Sequence, residues 1–398
     1  MRIESIELKS GAQAGYARIS ASITSPRWKS QPQRVWFEVP EELSSELSHE
    51  ATPWLQLALP HAFQFGETLE TNLEVDPQWL VNARSQMTIW HRWFPRLEPI
   101  EIEAPVAGGK SKTQPVSNRT ALFFTAGVDS FYSLYKFDAE AKQSGRPLLN
   151  DLVYVCGYDI PLEKRDQLAR KLTDLSEVVR QMNKKLVPLW TNLRQTRLNE
   201  LDWGRFMHGP AFGTAGLLLE SRWQQVLISA GGCIDDFTAW GSHPLTDPLM
   251  STSRTQVIRY SNNTTRFAKT EYISQFDLAL QRLHVCWIRN SNDNCGDCEK
   301  CIRTMLMLEV IGALPRASCF PPGDIMEKLR KVTVTNELAV PLWEDIKAPA
   351  IQRGRPDIAR EIDLCLERSR STMRRAAKMS VLRTVERKIR NVRKLWLG

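Results

Sequence analysis

Apolar and polar positions alternate through Ala17, Ile19, Ala21 and Ile23, the period of a half-buried strand. Arg34-Val35-Trp36-Phe37-Glu38-Val39 makes a second strand-like run, rich in β-branched and aromatic residues, and stops at Pro40. These stretches predict a β-rich N-terminal domain over residues 1–115. Its tryptophans, Trp28, Trp36, Trp54, Trp79, Trp90 and Trp93, are assigned to core packing, the commoner use of the residue. Ala107-Gly108-Gly109-Lys110-Ser111-Lys112 then reads as a linker. Its Gly-Gly-Lys-Ser lacks both the G-x-x-x-x-G-K-S spacing and a preceding apolar strand, so no P-loop is assigned.

From Thr120 the pattern changes to short apolar runs alternating with helical spacing. Strands are expected at 120–124, 151–156, 185–190 (weakened by Pro188) and 225–230, with helices from Ser130, over 162–182 and over 210–221. Repeated strand-helix units predict an α/β fold with a doubly wound parallel sheet, in which ligands sit beyond the carboxyl ends of the strands. Residues 116–313 are taken as that domain, 314–366 as a helical region and 367–398 as a basic amphipathic tail.

Charge changes this picture only at the C-terminus. The net charge is +8, yet from Glu367 onward eleven Arg or Lys face two acids, so the rest of the 398-residue chain is about neutral. Leu382, Val385, Ile389, Val392 and Trp396 fall three or four apart and would give the tail one apolar face on an Arg-rich helix. An anionic membrane, RNA, a partner or the chain's own domain are the open alternatives for its target. Met1-Arg2-Ile3-Glu4 does not read as a signal peptide, and no run reaches the roughly 20 apolar residues of a spanning helix, so a cytoplasmic protein is expected.

Two stretches carry candidate chemistry. Thr125-Ala126-Gly127-Val128-Asp129-Ser130 breaks an apolar strand with small residues, an acid and a hydroxyl just before a helix. Small residues let an anion approach the free N–H groups and positive dipole of a helix start; a plain capped helix is the alternative. Cys286, Cys295, Cys298 and Cys301 follow in a C-x8-C-x2-C-x2-C array, four thiols in the number that a closed tetrahedral Zn2+ site uses. The other four cysteines, Cys156, Cys233, Cys319 and Cys365, stand apart and are read as small buried hydrophobes.

The first stretch resembles Ser-Gly-Gly-x-Asp-Ser, the pyrophosphate loop of the N-type ATP pyrophosphatases (PP-loop enzymes), with Thr125 for the first Ser and Ala126 for the first Gly. The cysteine array, with Gly296 and Arg303 nearby, resembles the zinc motif of 7-cyano-7-deazaguanine synthase, the nitrile-forming enzyme of queuosine precursor synthesis. The likeness covers roughly residues 118–310. The substrate loop departs from it, reading Gly231-Gly232-Cys233-Ile234-Asp235-Asp236 and then Trp240-Gly241-Ser242-His243-Pro244-Leu245-Thr246-Asp247-Pro248. With its N-terminal extension the chain is similar to synthase-like paralogues, some of which belong to bacterial antiviral defence clusters.

The resemblance implies adenylation of a carboxylate such as 7-carboxy-7-deazaguanine by ATP with Mg2+, then amide or nitrile formation, with a partner protein as one candidate amine acceptor. It places ATP on Thr125, Ala126, Gly127, Val128, Asp129 and Ser130. His208, in Met207-His208-Gly209-Pro210, is a further candidate for the nucleotide pocket, with a packed or solvent-facing ring as the alternative. Asp129, Ser130, Lys269 and Arg303 are the candidate catalytic residues, and Ser242, His243 and Asp247 the candidate substrate contacts. A tRNA-modifying thiolase of the same superfamily and a catalytically degenerate nucleotide-binding scaffold are the alternatives.

Overall fold

The computed structural model describes residues 1–29, 31–107, 117–232, 238–286, 293–372 and 374. The linker read at Gly108-Gly109-Lys110-Ser111-Lys112, Cys233 with Ile234, Asp235 and Asp236, and the basic tail from residue 375 lie outside the described residues. The chain divides into two compact units, Met1–Thr264 and Thr265–Gly398.

The first unit holds β1 (Arg2–Ser10), β2 (Tyr16–Thr24), β3 (Gln33–Pro40), β4 (Leu69–Thr71), β5 (Ile102–Glu103), β6 (Thr120–Phe123), β7 (Asp151–Cys156), β8 (Lys185–Thr191), β9 (Gln225–Ser229) and β10 (Gln256–Tyr260). They form one sheet in the order β10-β9-β6-β7-β8-β3-β2-β1-β4-β5. The five strands from β10 to β8 are mutually parallel, and β3, β2 and β1 continue the sheet antiparallel. Helices α1 (Thr52–Phe65), α2 (Pro77–Trp93), α3 (Val128–Ser144), α4 (Arg165–Gln181) and α5 (His208–Leu217) belong to the same unit.

The strands expected of a separate N-terminal domain are thus part of the α/β sheet. β3 meets β8 through Phe37↔Thr191 and Glu38↔Trp190. Asn192 extends this short ladder with its side chain, accepting from Trp36 N–H at 2.9 Å and donating to the Arg34 carbonyl at 2.9 Å. Pro188 is tolerated because β3 does not pair with that part of β8. One core runs across the join, with Ile19, Phe37, Val39 and Trp54 in the same cluster as Leu189, Ala211 and Ala215. The segment is also less purely β than expected. α1 carries no acidic or basic residue apart from His61 and is buried on nearly every side, so it lacks the apolar stripe that marks a surface helix.

Asp151, at the start of β7, ties the amino ends of the parallel strands. It accepts from Arg119 at 2.6 Å, Arg222 at 3.0 Å and Trp223 at 2.7 Å. That leaves the opposite, carboxyl ends to carry the loops of interest.

The second unit is helical in its described residues: α6 (Arg266–Ile273), α7 (Asp277–Arg282), α8 (Glu299–Ile311), α9 (Ile325–Lys331), α10 (Val340–Gln352) and the helical residues 356–372. Met305, Leu306, Leu329, Trp343, Ile346 and Ile358 are among its buried residues. Among the described residues no helix is long and apolar enough to cross a membrane.

Candidate functional site

β6 lies between β7 on one side and β9 on the other, so the strand order reverses beside it. Open parallel sheets bind ligands in the crevice beyond the strand ends at such a reversal. The chain leaves β6 through Phe124, whose N–H bonds the Val153 carbonyl at 2.8 Å, and turns at Thr125, Ala126 and Gly127 into α3. Ala126 makes the turn with φ at 60°, in the left-handed region, while only 3% exposed. An alanine pays about 1–2 kcal/mol for that conformation, which a glycine adopts freely. Gly127 is the extended N-cap residue, and Asp129 sits in the first turn of α3, where the helix dipole favours an anion. Ser130, expected to face a phosphate, is buried and donates its hydroxyl to the Gly127 carbonyl at 3.1 Å.

An aromatic cluster stands next to this turn. Phe123, the last residue of β6, packs edge-on to Phe212 of α5 at 4.7 Å. Phe212 also touches Tyr158, just past β7, and His208 at 5.0 Å. His208 is half-buried at the start of α5, against Trp203.

The loop after β9 reaches the same helix start. Gly209 N–H donates to the Gly241 carbonyl at 3.1 Å, and a Cβ on Gly209 would stand 2.0 Å from that oxygen, so only glycine permits the approach. Ser242, His243 and Asp247 are brought together, but as a closed network. The Ser242 hydroxyl donates to Asp247 Oδ2 at 2.6 Å and accepts from Arg259 Nη1 at 2.6 Å, while His243 N–H donates to Asp247 Oδ1 at 3.0 Å. Arg259, on β10, also lies 3.6 Å from the Asp247 carboxylate. Burial raises the Asp247 carboxyl to about 6 against the pull of Arg259 and Ser242. His243 accepts the Leu245 N–H at Nδ1, packs on Trp93 at 4.6 Å, and is held down to about 4 by burial and by Arg259. Trp93 ends α2, and Asp76 at the start of α2 accepts from Ser253 N–H at 3.1 Å. The N-terminal segment therefore buttresses this loop.

Lys269 and Arg303 belong to the second unit and are buried there rather than solvated. Arg303 donates to Glu299 at 2.6 Å, and the same oxygen accepts from Trp343 at 2.8 Å. Cys286, Cys295, Cys298 and Cys301 converge, their sulfurs all within 4.8 Å of one another. Cys286–Cys298 and Cys295–Cys301 are each 3.9 Å apart. A tetrahedral zinc with bonds of about 2.3 Å requires a sulfur–sulfur edge of about 3.8 Å, so the four thiols fit that metal. Cys298 and Asp297 N–H groups point at Cys295 Sγ at 3.2 and 3.4 Å. The hydrogen bond with Cys301 pulls the Cys298 thiol down against burial, and pushes Cys301 up.

No family model, curated protein or solved structure matches this chain.

Three residues that the sequence did not single out complete these sites. Arg259 was missed because β10 carries only five residues and no clear alternation. Asn294 accepts from Val285 and Cys286 N–H at 2.9 and 3.2 Å and donates to the Leu283 and Cys319 carbonyls at 2.7 and 3.1 Å. It thereby fixes Cys286 against the Cys295 turn. Lys171, in the middle of α4, donates to the Thr125 carbonyl at 2.9 Å. Its place three residues after Leu168 and four before Leu175 puts it on the buried stripe of α4, but spacing alone does not name the carbonyl it meets.

Proposed function

We propose that the chain is an ATP-dependent adenylating enzyme of the PP-loop kind. The observation that carries this reading is the position of Thr125–Ser130, at the carboxyl end of β6 where the strand order reverses and α3 begins. In the proposed reaction a substrate carboxylate oxygen attacks the α-phosphorus of ATP and the bond to pyrophosphate breaks. An amine nitrogen then attacks the acyl carbon, releases AMP and loses a proton, leaving an amide. The backbone N–H groups of the Ala126–Asp129 turn receive the departing pyrophosphate, and Asp129 would hold Mg2+, which neutralises phosphate charge when bound. The four-cysteine cluster would hold Zn2+ as a structural ion, with no open position for a reactant. The loop bearing Ser242, His243 and Asp247, which meets His208 through Gly209, is the proposed wall of the substrate site. A 7-deazaguanine carboxylate is the proposed substrate.

A silent nucleotide-binding scaffold is the second reading, favoured by the Ser130 hydroxyl being turned onto the Gly127 carbonyl. The test is release of AMP and pyrophosphate from Mg-ATP, ammonium and 7-carboxy-7-deazaguanine, with the product weighed by mass spectrometry. Carboxylate-dependent AMP supports the enzyme. ATP binding with no AMP above a Ser130→Ala control supports the scaffold and removes the adenylation.

A further inference from the structure

The Thr125 carbonyl points to the buried side of the turn, where it meets the Lys171 ammonium at 2.9 Å. Lys171 is only 4% exposed, although lysine is among the residues least often buried. A trans peptide is planar, so its N–H points opposite to its C=O. Holding the Thr125 oxygen inward therefore aims the Ala126 N–H outward, toward the crevice beyond β6. Ala126 is also the residue in the left-handed conformation, and it has no conformational ease of its own there. An external clamp on the preceding carbonyl is the kind of contact that keeps such a turn in place.

We infer that Lys171 is the positioning residue of this loop, holding the Ala126 N–H toward a phosphate or pyrophosphate anion and setting a positive charge behind it. The inference rests on the nucleotide reading given above. Lys171 does not touch the anion; it acts through the Thr125–Ala126 peptide. Burial depresses its amine to about 8, with Asp174 and Asp159 opposing, so the group is still mainly charged near neutrality. A buried cation costs less when an anion arrives nearby, so ligand binding and the Lys171 charge reinforce each other.

The experiment uses the full chain and two probes, inorganic pyrophosphate and Mg-ATP, titrated by calorimetry, with hydrogen exchange of the peptide spanning residues 124–131. Lys171→Met is expected to weaken pyrophosphate binding at least about tenfold and to speed exchange in that peptide. Lys171→Gln keeps a donor for the Thr125 carbonyl without the charge, and is expected to fall between Lys171→Met and the unaltered protein. If Lys171→Met binds pyrophosphate as tightly as the unaltered protein, the positioning role is overturned and the nucleotide reading stands. If Lys171→Met does not fold, equal affinity in Lys171→Gln overturns the role of the charge. If the unaltered protein binds neither probe, the nucleotide reading falls and takes this inference with it.

Discussion

The carboxylate of Asp247 accepts the hydroxyl of Ser242 at 2.6 Å in a position with no solvent exposure. Burial raises the Asp247 carboxyl from the ordinary value of 3.8 to about 6, even with Arg259 nearby. Between about pH 4 and about pH 6 the folded chain therefore keeps a proton that the unfolded chain has lost, so this group's contribution to stability falls as pH rises. Asp247→Asn, which does not ionise, is expected to gain melting temperature relative to the unaltered protein as pH is raised across that window. Paired melting curves at several pH values check this. A difference that does not change with pH would show that Asp247 is ionised throughout.

Ala126 offers a test of strain at the loop. Exchanging it for glycine relieves about 1–2 kcal/mol of left-handed backbone cost and gives back about 0.5–1 kcal/mol in chain entropy. Ala126→Gly is expected to be more stable by roughly 1 kcal/mol and, with the methyl gone, to bind pyrophosphate more tightly. Denaturant unfolding and calorimetry read the two effects separately. A loss of stability would mean that the alanine methyl packs better than its backbone suffers.

Much of the parallel half was legible because each element announces itself locally. The expected strands at 120–124, 151–156, 185–190 and 225–230 appear as Thr120–Phe123, Asp151–Cys156, Lys185–Thr191 and Gln225–Ser229. The cysteine array was legible for the same reason, since three of its four members, Cys295, Cys298 and Cys301, lie within seven residues of sequence. What escaped depends on contacts distant in sequence. β3 joins β8 across about 150 residues through two residue pairs and the side chain of Asn192. Arg259 reaches Ser242 from a strand with no alternation of its own, and Lys171 shares the buried face of α4 with Leu168, Leu175 and Val178 while its partner, the Thr125 carbonyl, lies 46 residues away in the chain. α1 was hidden because burial on all sides erases periodicity.

His61 is buried on α1 between Trp28 at 5.1 Å and Phe65 at 4.6 Å, and neither ring nitrogen has a hydrogen-bond partner among the described residues. Burial and then the positive charge of Arg27 hold it down from 6.5 to about 3. The folded state keeps the ring neutral while the unfolded chain takes up a proton below about pH 6.5, so this group's contribution to stability is lost as pH falls. His61→Phe suits the aromatic surroundings and leaves no orphaned nitrogen. It is expected to be more stable by about 1 kcal/mol at neutral pH, with the margin widening as the solution is acidified toward pH 4. Melting curves over that range decide it; a margin that does not widen on acidification would mean that His61 takes up its proton in the folded protein as readily as in the unfolded chain.

The cysteine turn depends on Gly296 and Asn294 in different ways. Gly296 has φ at 74°, and a Cβ there would come within 2.4 Å of Pro321 Cγ, so Gly296→Ala must displace either the proline or the turn holding Cys295 and Cys298. Lys328 braces the same point through the Gly296 carbonyl at 3.1 Å and Asp297 at 2.7 Å, which limits how far the turn can give. Asn294→Ala leaves the cysteine turn's φ values alone and instead strands the N–H groups of Val285 and Cys286 and two carbonyls, at about 1–3 kcal/mol for each buried orphan. Loss of such outer contacts around a metal ligand weakens metal binding by about 10–100-fold. Zinc is therefore expected to copurify at one equivalent with the unaltered protein and to pass to a chromophoric chelator much faster from both variants. Release from Asn294→Ala at the unaltered rate would mean that Cys286 is held in place by the metal itself, and protein free of zinc in all three forms would remove the metal site.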